Sequence, residues 1–76
     1  MPMEMQEKSL TFRGSMAFVD VDFSAPVRNV EALLMGRGTL SAVKVVGQRV
    51  RLAAQCASEQ DCRKTTILVS ANTANA

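Results

Sequence analysis

The chain predicts an α+β fold: a two-layer arrangement in which one mainly antiparallel sheet of about five short strands carries one helix packed on a face, in the order β-β-α-β-β-β. Three observations support this. Val19, Val21 and Phe23 alternate with Asp20 and Asp22, the period of a half-buried strand. Val27, Val30, Leu33 and Leu34 share one helical face behind a Ser24-Ala25-Pro26 start. Two β-rich runs flank Gly47-Gln48, which suits a two-residue hairpin turn. The alternative is a small β-barrel, because five short strands can also curl shut.

In chain order, residues 1–8 are polar and Met-rich and are expected to fray. Leu10-Thr11-Phe12 is a short strand candidate, and Arg13-Gly14-Ser15 is a turn signal. Met16 to Phe23 is the next strand. Phe18 interrupts its alternation, so a bulge near Ala17 or a second buried face is expected there. The helix then runs to Gly36, which is able to take the left-handed backbone that ends many helices. Its outer face is Arg28, Asn29 and Glu31. A helix of roughly ten residues is unstable alone and needs a sheet beneath it.

Thr39–Val46 and Arg49–Cys56 form the best-defined unit. The two-residue turn sets Val46 opposite Arg49, Val45 opposite Val50, Lys44 opposite Arg51, Val43 opposite Leu52 and Ala42 opposite Ala53. One face is then Val43, Val45, Val50 and Leu52; the other carries Lys44, Arg49 and Arg51. Ala57–Arg63 reads as a polar connection with about one helical turn. Thr65–Ser70 is a β-branched last strand. Residues 71–76 contain no large apolar group and read as a disordered tail, which leaves a single domain at 9–70.

Length and charge limit what such a domain can do. Seventy-six residues bury a small share of their surface, so self-association is the readiest source of extra buried area. The net charge is +2, but residues 1–36 carry three basic and five acidic groups, whereas residues 37–64 carry six basic groups against Glu59 and Asp61. The first eight residues hold acidic groups and no apolar run, unlike a signal peptide. No run approaches the roughly 20 apolar residues of a membrane span. A cytoplasmic location without membrane contact is expected, and there Cys56 and Cys62 would remain reduced; in a secreted or virion-borne protein the five-residue gap between them permits a bridge across a loop.

Chemistry is sparsely provided. With no histidine the usual general base near neutral pH is absent, and no catalytic residue, metal ligand set or cofactor site is predicted. Two cysteines alone do not make a structural zinc site. Cys56 continues the apolar hairpin face, so burial is expected. Cys62 beside Arg63 and Lys64 is a weak redox candidate, since cationic neighbours favour its thiolate. Asp20 and Asp22 share a strand face, but two carboxylates form a poor cation site, and they read as a solvated face that can neutralise basic neighbours. Met35-Gly36-Arg37-Gly38 follows its helix, whereas phosphate loops precede one.

The candidate contact residues for a partner or a nucleic acid are therefore Lys44, Arg49, Arg51, Arg63 and Lys64. Lys44 opposite Arg51 sets like charges across a pair and calls for an anion. Phe12, Phe18 and Phe23 are expected in the core, which leaves no aromatic to stack on bases. Val21-Asp22-Phe23-Ser24-Ala25-Pro26-Val27-Arg28-Asn29-Val30 through Leu34, with Val46-Gly47-Gln48-Arg49-Val50-Arg51-Leu52, resembles the small periplasmic domains of secretin channels. The resemblance covers under half the chain and lacks both the second helix of such domains and a signal peptide, so no family follows from it. The expected function is a non-catalytic interaction module of the regulator, inhibitor or adaptor type, with a protein partner and itself as a homo-oligomer. The alternative is nucleic-acid binding through the basic ribbon face.

Overall fold

The computed structural model describes residues 3–13 and 16–74. It is mostly antiparallel strand: β1 (Met3–Ser9), β2 (Thr11–Arg13), β3 (Met16–Asp22), β4 (Val27–Met35), β5 (Thr39–Val46), β6 (Arg49–Gln55), α1 (Glu59–Arg63) and β7 (Thr66–Thr73). The strands form two open sheets rather than a barrel. One has the order β1-β7-β4 and the other β2-β3-β6-β5. Val21, Val50 and Leu52 from the four-stranded sheet, with Phe23 just after β3, meet Ile67, Val69 and Ala71 of β7 in one core.

The hairpin forms in the expected register, from Val46 opposite Arg49 to Ala42 opposite Ala53. A shift between Leu40 and Ala42 then resets the pairing, with Leu40 opposite Ala54. Gly47 has φ +61° and Gln48 does not have positive φ, consistent with glycine at the first central position of the turn. Ala57–Arg63 contains the expected helical turn, capped by the Ser58 hydroxyl, which accepts from the Asp61 N–H.

Residues 27–35 are a strand, not a helix. β4 pairs with β7 from Val27 opposite Thr73 to Met35 opposite Thr66, with an irregularity between Val27 and Asn29. That one-residue bulge explains the misleading spacing. Arg28 is the extra residue, so the inward positions become 27, 30, 32 and 34, and the step of three mimics a helical turn. β7 supplies the compensation: Ile67, Val69, Ala71 and Thr73 are all buried and need a strand on each side.

The expected frayed start and disordered end are both sheet. β1 pairs with β7 from Met3 opposite Asn72 to Ser9 opposite Thr66, and β7 continues through Ala71 to a buried Thr73. Residues 1–2, 75–76 and the Gly14-Ser15 part of the predicted turn lie outside the described residues. The polarity of β1 is inverted. Glu4, Gln6 and Lys8 fall on the core side, opposite Ala71, Val69 and Ile67, while Met3 and Met5 point outward and are exposed. Its inward polar groups are used at the crossing from β3 to β4. Gln6 Nε2 donates to the Asp22 carbonyl at 2.8 Å, and Glu4 accepts from the Ser24 hydroxyl.

Phe18 is not in the core. β3 pairs with β2 and β6 without a bulge, and Phe18 lies exposed on the outer face. The cysteines also differ from expectation. Cys56 and Cys62 are joined by a disulfide with Cα atoms 5.5 Å apart, and Cys62 rather than Cys56 is the fully buried member. Neither sulfur is a free thiolate, so the redox candidate at Cys62 falls away in this state. The bond ties the end of β6 to α1. Reduction with a thiol reagent is expected to lower the unfolding free energy by about 2 kcal/mol, the loop-closure value for so short a ring. Denaturant melts with and without reductant measure this; an unchanged midpoint would show that packing alone holds this end.

Candidate functional site

The outer face of the four-stranded sheet carries Asp20, Asp22, Lys44, Arg49 and Arg51 side by side. β6 lies between β3 and β5, so each outward residue of β6 has a neighbour on both sides. Arg51 lies between Asp20 and Lys44, and Arg49 between Asp22 and Val46. Both arginines turn towards the carboxylates. Arg51 Nε and Nη2 donate to the two Asp20 oxygens at 2.8 and 3.0 Å. Arg49 Nε and Nη2 reach those of Asp22 at 2.9 and 3.4 Å. Arg51 thus has its counter-charge inside the molecule, in Asp20.

These pairs shift the titration of their members. The Arg51 hydrogen bonds hold the Asp20 carboxyl below the ordinary aspartate value of 3.8, and those of Arg49 do the same for Asp22. A carboxylate whose folded pKa is depressed stabilises the fold above its unfolded pKa and loses that contribution as pH falls through the lower folded value. The melting temperature should therefore decline from about pH 4 downward. An Asp20→Asn/Asp22→Asn variant should show a flatter acid limb. Equal acid limbs in the two proteins would show that the exposed pairs do not contribute.

The five predicted contact residues do not form one patch. Lys44, Arg49 and Arg51 are adjacent on the outer face beside the hairpin turn. Arg63 and Lys64 lie at and just after the end of α1, beyond the opposite end of β6, about 20 Å away by strand rise. Arg63 is paired with Glu59 at 3.3 Å. Among the described residues, Lys44 and Arg13 have no carboxylate within ion-pair distance. Arg13, Phe18, Asp20 and Arg51 line an open depression on the same outer face. The expectation of a buried Phe18 missed this aromatic. Its out-of-phase position beside Val19 was the available signal, since a strand alternates and cannot bury both.

Apolar surface is exposed in two other places. On the outer face of the three-stranded sheet, Met3 and Met5 are exposed, and Leu33 (59% exposed) lies opposite Leu68. On β5, Val43, Val45 and Val46 are exposed. Val43 and Val45 face the core side but extend past its cover, while Val46 faces outward. No helix among the described residues is long and apolar enough to cross a membrane. No family model matches the chain, and no curated protein or solved structure is significantly similar to it.

Proposed function

We propose that this protein is a small non-catalytic interaction module that associates with itself and acts as a regulator, inhibitor or adaptor by occupying a surface on a protein partner. The observation that carries this reading is the division of its surface. Arg49 and Arg51 are hydrogen-bonded to Asp22 and Asp20, whereas the apolar Met3, Met5, Leu33, Val43, Val45 and Val46 are exposed. A domain of this size gains most by covering such groups with another chain. The non-catalytic part rests on the absence of histidine from the sequence and on the arginine-bound state of Asp20 and Asp22.

The cytoplasm is the proposed compartment. The Cys56–Cys62 bond is favoured in oxidising surroundings, and in a reducing compartment the same two sulfurs would face each other as thiols. Contact with a membrane is not part of the proposal.

A second reading, nucleic-acid binding, draws support from exposed Phe18 beside Arg13 and Arg51, an aromatic on which a base can stack. Light scattering and a titration with generic single-stranded DNA or RNA separate the two. The interaction-module reading expects a mass above the 8.2 kDa monomer at micromolar concentration and no binding at low salt. Binding that weakens steeply with salt, and is lost in the Lys44→Ala/Arg49→Ala/Arg51→Ala variant, would replace it with the second reading.

A further inference from the structure

The two sheets have four edge strands: β1 and β4 in one, β2 and β5 in the other. An edge presents unpaired N–H and C=O groups, and proteins usually guard it with charge, proline, a bulge or short length. Three of these edges are guarded. β1 turns Glu4 and Lys8 inward. β4 follows Pro26, has a bulge after Val27 and carries Arg28 and Glu31. β2 is three residues long. β5 has eight residues, and beyond its irregularity at Leu40–Ala42 the stretch to Val46 holds a single charge, Lys44.

Hairpin geometry says which groups this edge leaves free. Val46 and Arg49 flank the two-residue turn and exchange hydrogen bonds, so the alternation makes Lys44–Arg51 the next bonded pair. Val43 and Val45 are then the non-bonded positions, and their N–H and C=O groups point away from β6. The side chains of these same residues face the core side yet are 42% and 40% exposed. At Val43 and Val45 the backbone groups face away from β6, and the side chains, beside Leu52 and Val50, are only part-covered.

We propose that β5 is the self-association site: a second copy pairs its own β5 antiparallel to this one across a two-fold axis normal to the sheet, making a continuous eight-stranded sheet. This rests on the self-association reading above and names its surface. The two-fold keeps like faces together, so the paired residue numbers have even sums. With Val43 opposite Val43, Lys44 lies opposite Ala42 and Val45 opposite Ser41, at the edge of the irregular stretch. The register that opposes Lys44 with Lys44 is disfavoured by like charge. A second copy fits better than an arbitrary peptide for two reasons. The Val43 side chains of the two copies meet on one face, with each Val45 diagonal to the other copy's Val43, and extend both cores. The edges left over are the guarded ones, so assembly closes at two chains.

Sedimentation of the full chain at micromolar concentration should give twice the 8.2 kDa mass. Val43→Lys/Val45→Lys should sediment as a monomer with its sheet circular dichroism retained, and Lys44→Ala should remain dimeric. Amide exchange on the unaltered protein gives an independent readout: the Val43 and Val45 amides should become protected as concentration rises. A monomer at every concentration overturns both this assignment and the self-association reading. A dimer in which those two amides stay unprotected overturns the β5 assignment and leaves self-association standing. If the lysine variant fails to fold, the exchange result decides.

Discussion

Leu52→Ala is expected to reduce the unfolding free energy by about 3–5 kcal/mol, the upper range for a leucine deleted from a packed interior. Leu52 has no exposed surface. It lies in mid-β6 with Val19 on one side and Val43 on the other, and it packs in the cluster of Val21, Val50, Ile67 and Val69. β6 is an inner strand of its sheet, so its neighbours cannot move in to fill the gap without breaking ladder bonds. A domain of this length has about 4–11 kcal/mol in total, so the loss removes between about a quarter and all of it. Urea melts should show a lower midpoint, and Leu52→Met, which conserves volume, should cost under about 1.5 kcal/mol. A loss below about 1 kcal/mol for the alanine variant would contradict the core assigned to these two sheets.

Gly36→Ala should be the most damaging surface-loop change, at about 3 kcal/mol. Gly36 has φ +128°, a conformation that side-chain-bearing residues rarely adopt. A Cβ there would stand 2.9 Å from the Thr65 Cα and 3.1 Å from the Lys64 carbonyl. Those are backbone atoms and cannot swing aside. Thr65 is itself held, being buried with its hydroxyl 2.7 Å from the Asp61 carbonyl and 3.0 Å from that of Arg37. Gly47→Ala is the matched control. It has φ +61°, but nothing lies within 4 Å of a Cβ, so only backbone strain of about 1 kcal/mol is expected. Thermal melts of the two variants should differ clearly. Equal losses would mean that the approach of Gly36 to Thr65 does not constrain the fold.

Both experiments probe regions whose legibility in the sequence differed. The Gly47-Gln48 hairpin was readable pair by pair, because turn chemistry and alternation act between residues close along the chain. The 24–36 segment was misread because a single bulge at Arg28 turned a step of two into a step of three. Met3–Ser9 was misread because its polar residues face inward, to partners at Asp22 and Ser24 that lie far away in the chain. Among the candidate site residues, Lys44, Arg49 and Arg51 were placed correctly on one face. The separation of Arg63 and Lys64 from them depended on the full length of β6.

The small domain, the hairpin register and the basic outward face follow from local pattern, since each depends on residues within about one strand length of each other. The folded molecule settled which strands flank β6 and β7. That choice brought Asp20 and Asp22 to Arg51 and Arg49, joined Cys56 to Cys62, and left β5 as the unguarded edge. The physical reason is the same in each case. These outcomes are contacts between residues distant in sequence, and a strand's alternation shows which of its faces is apolar but not which strand will cover it.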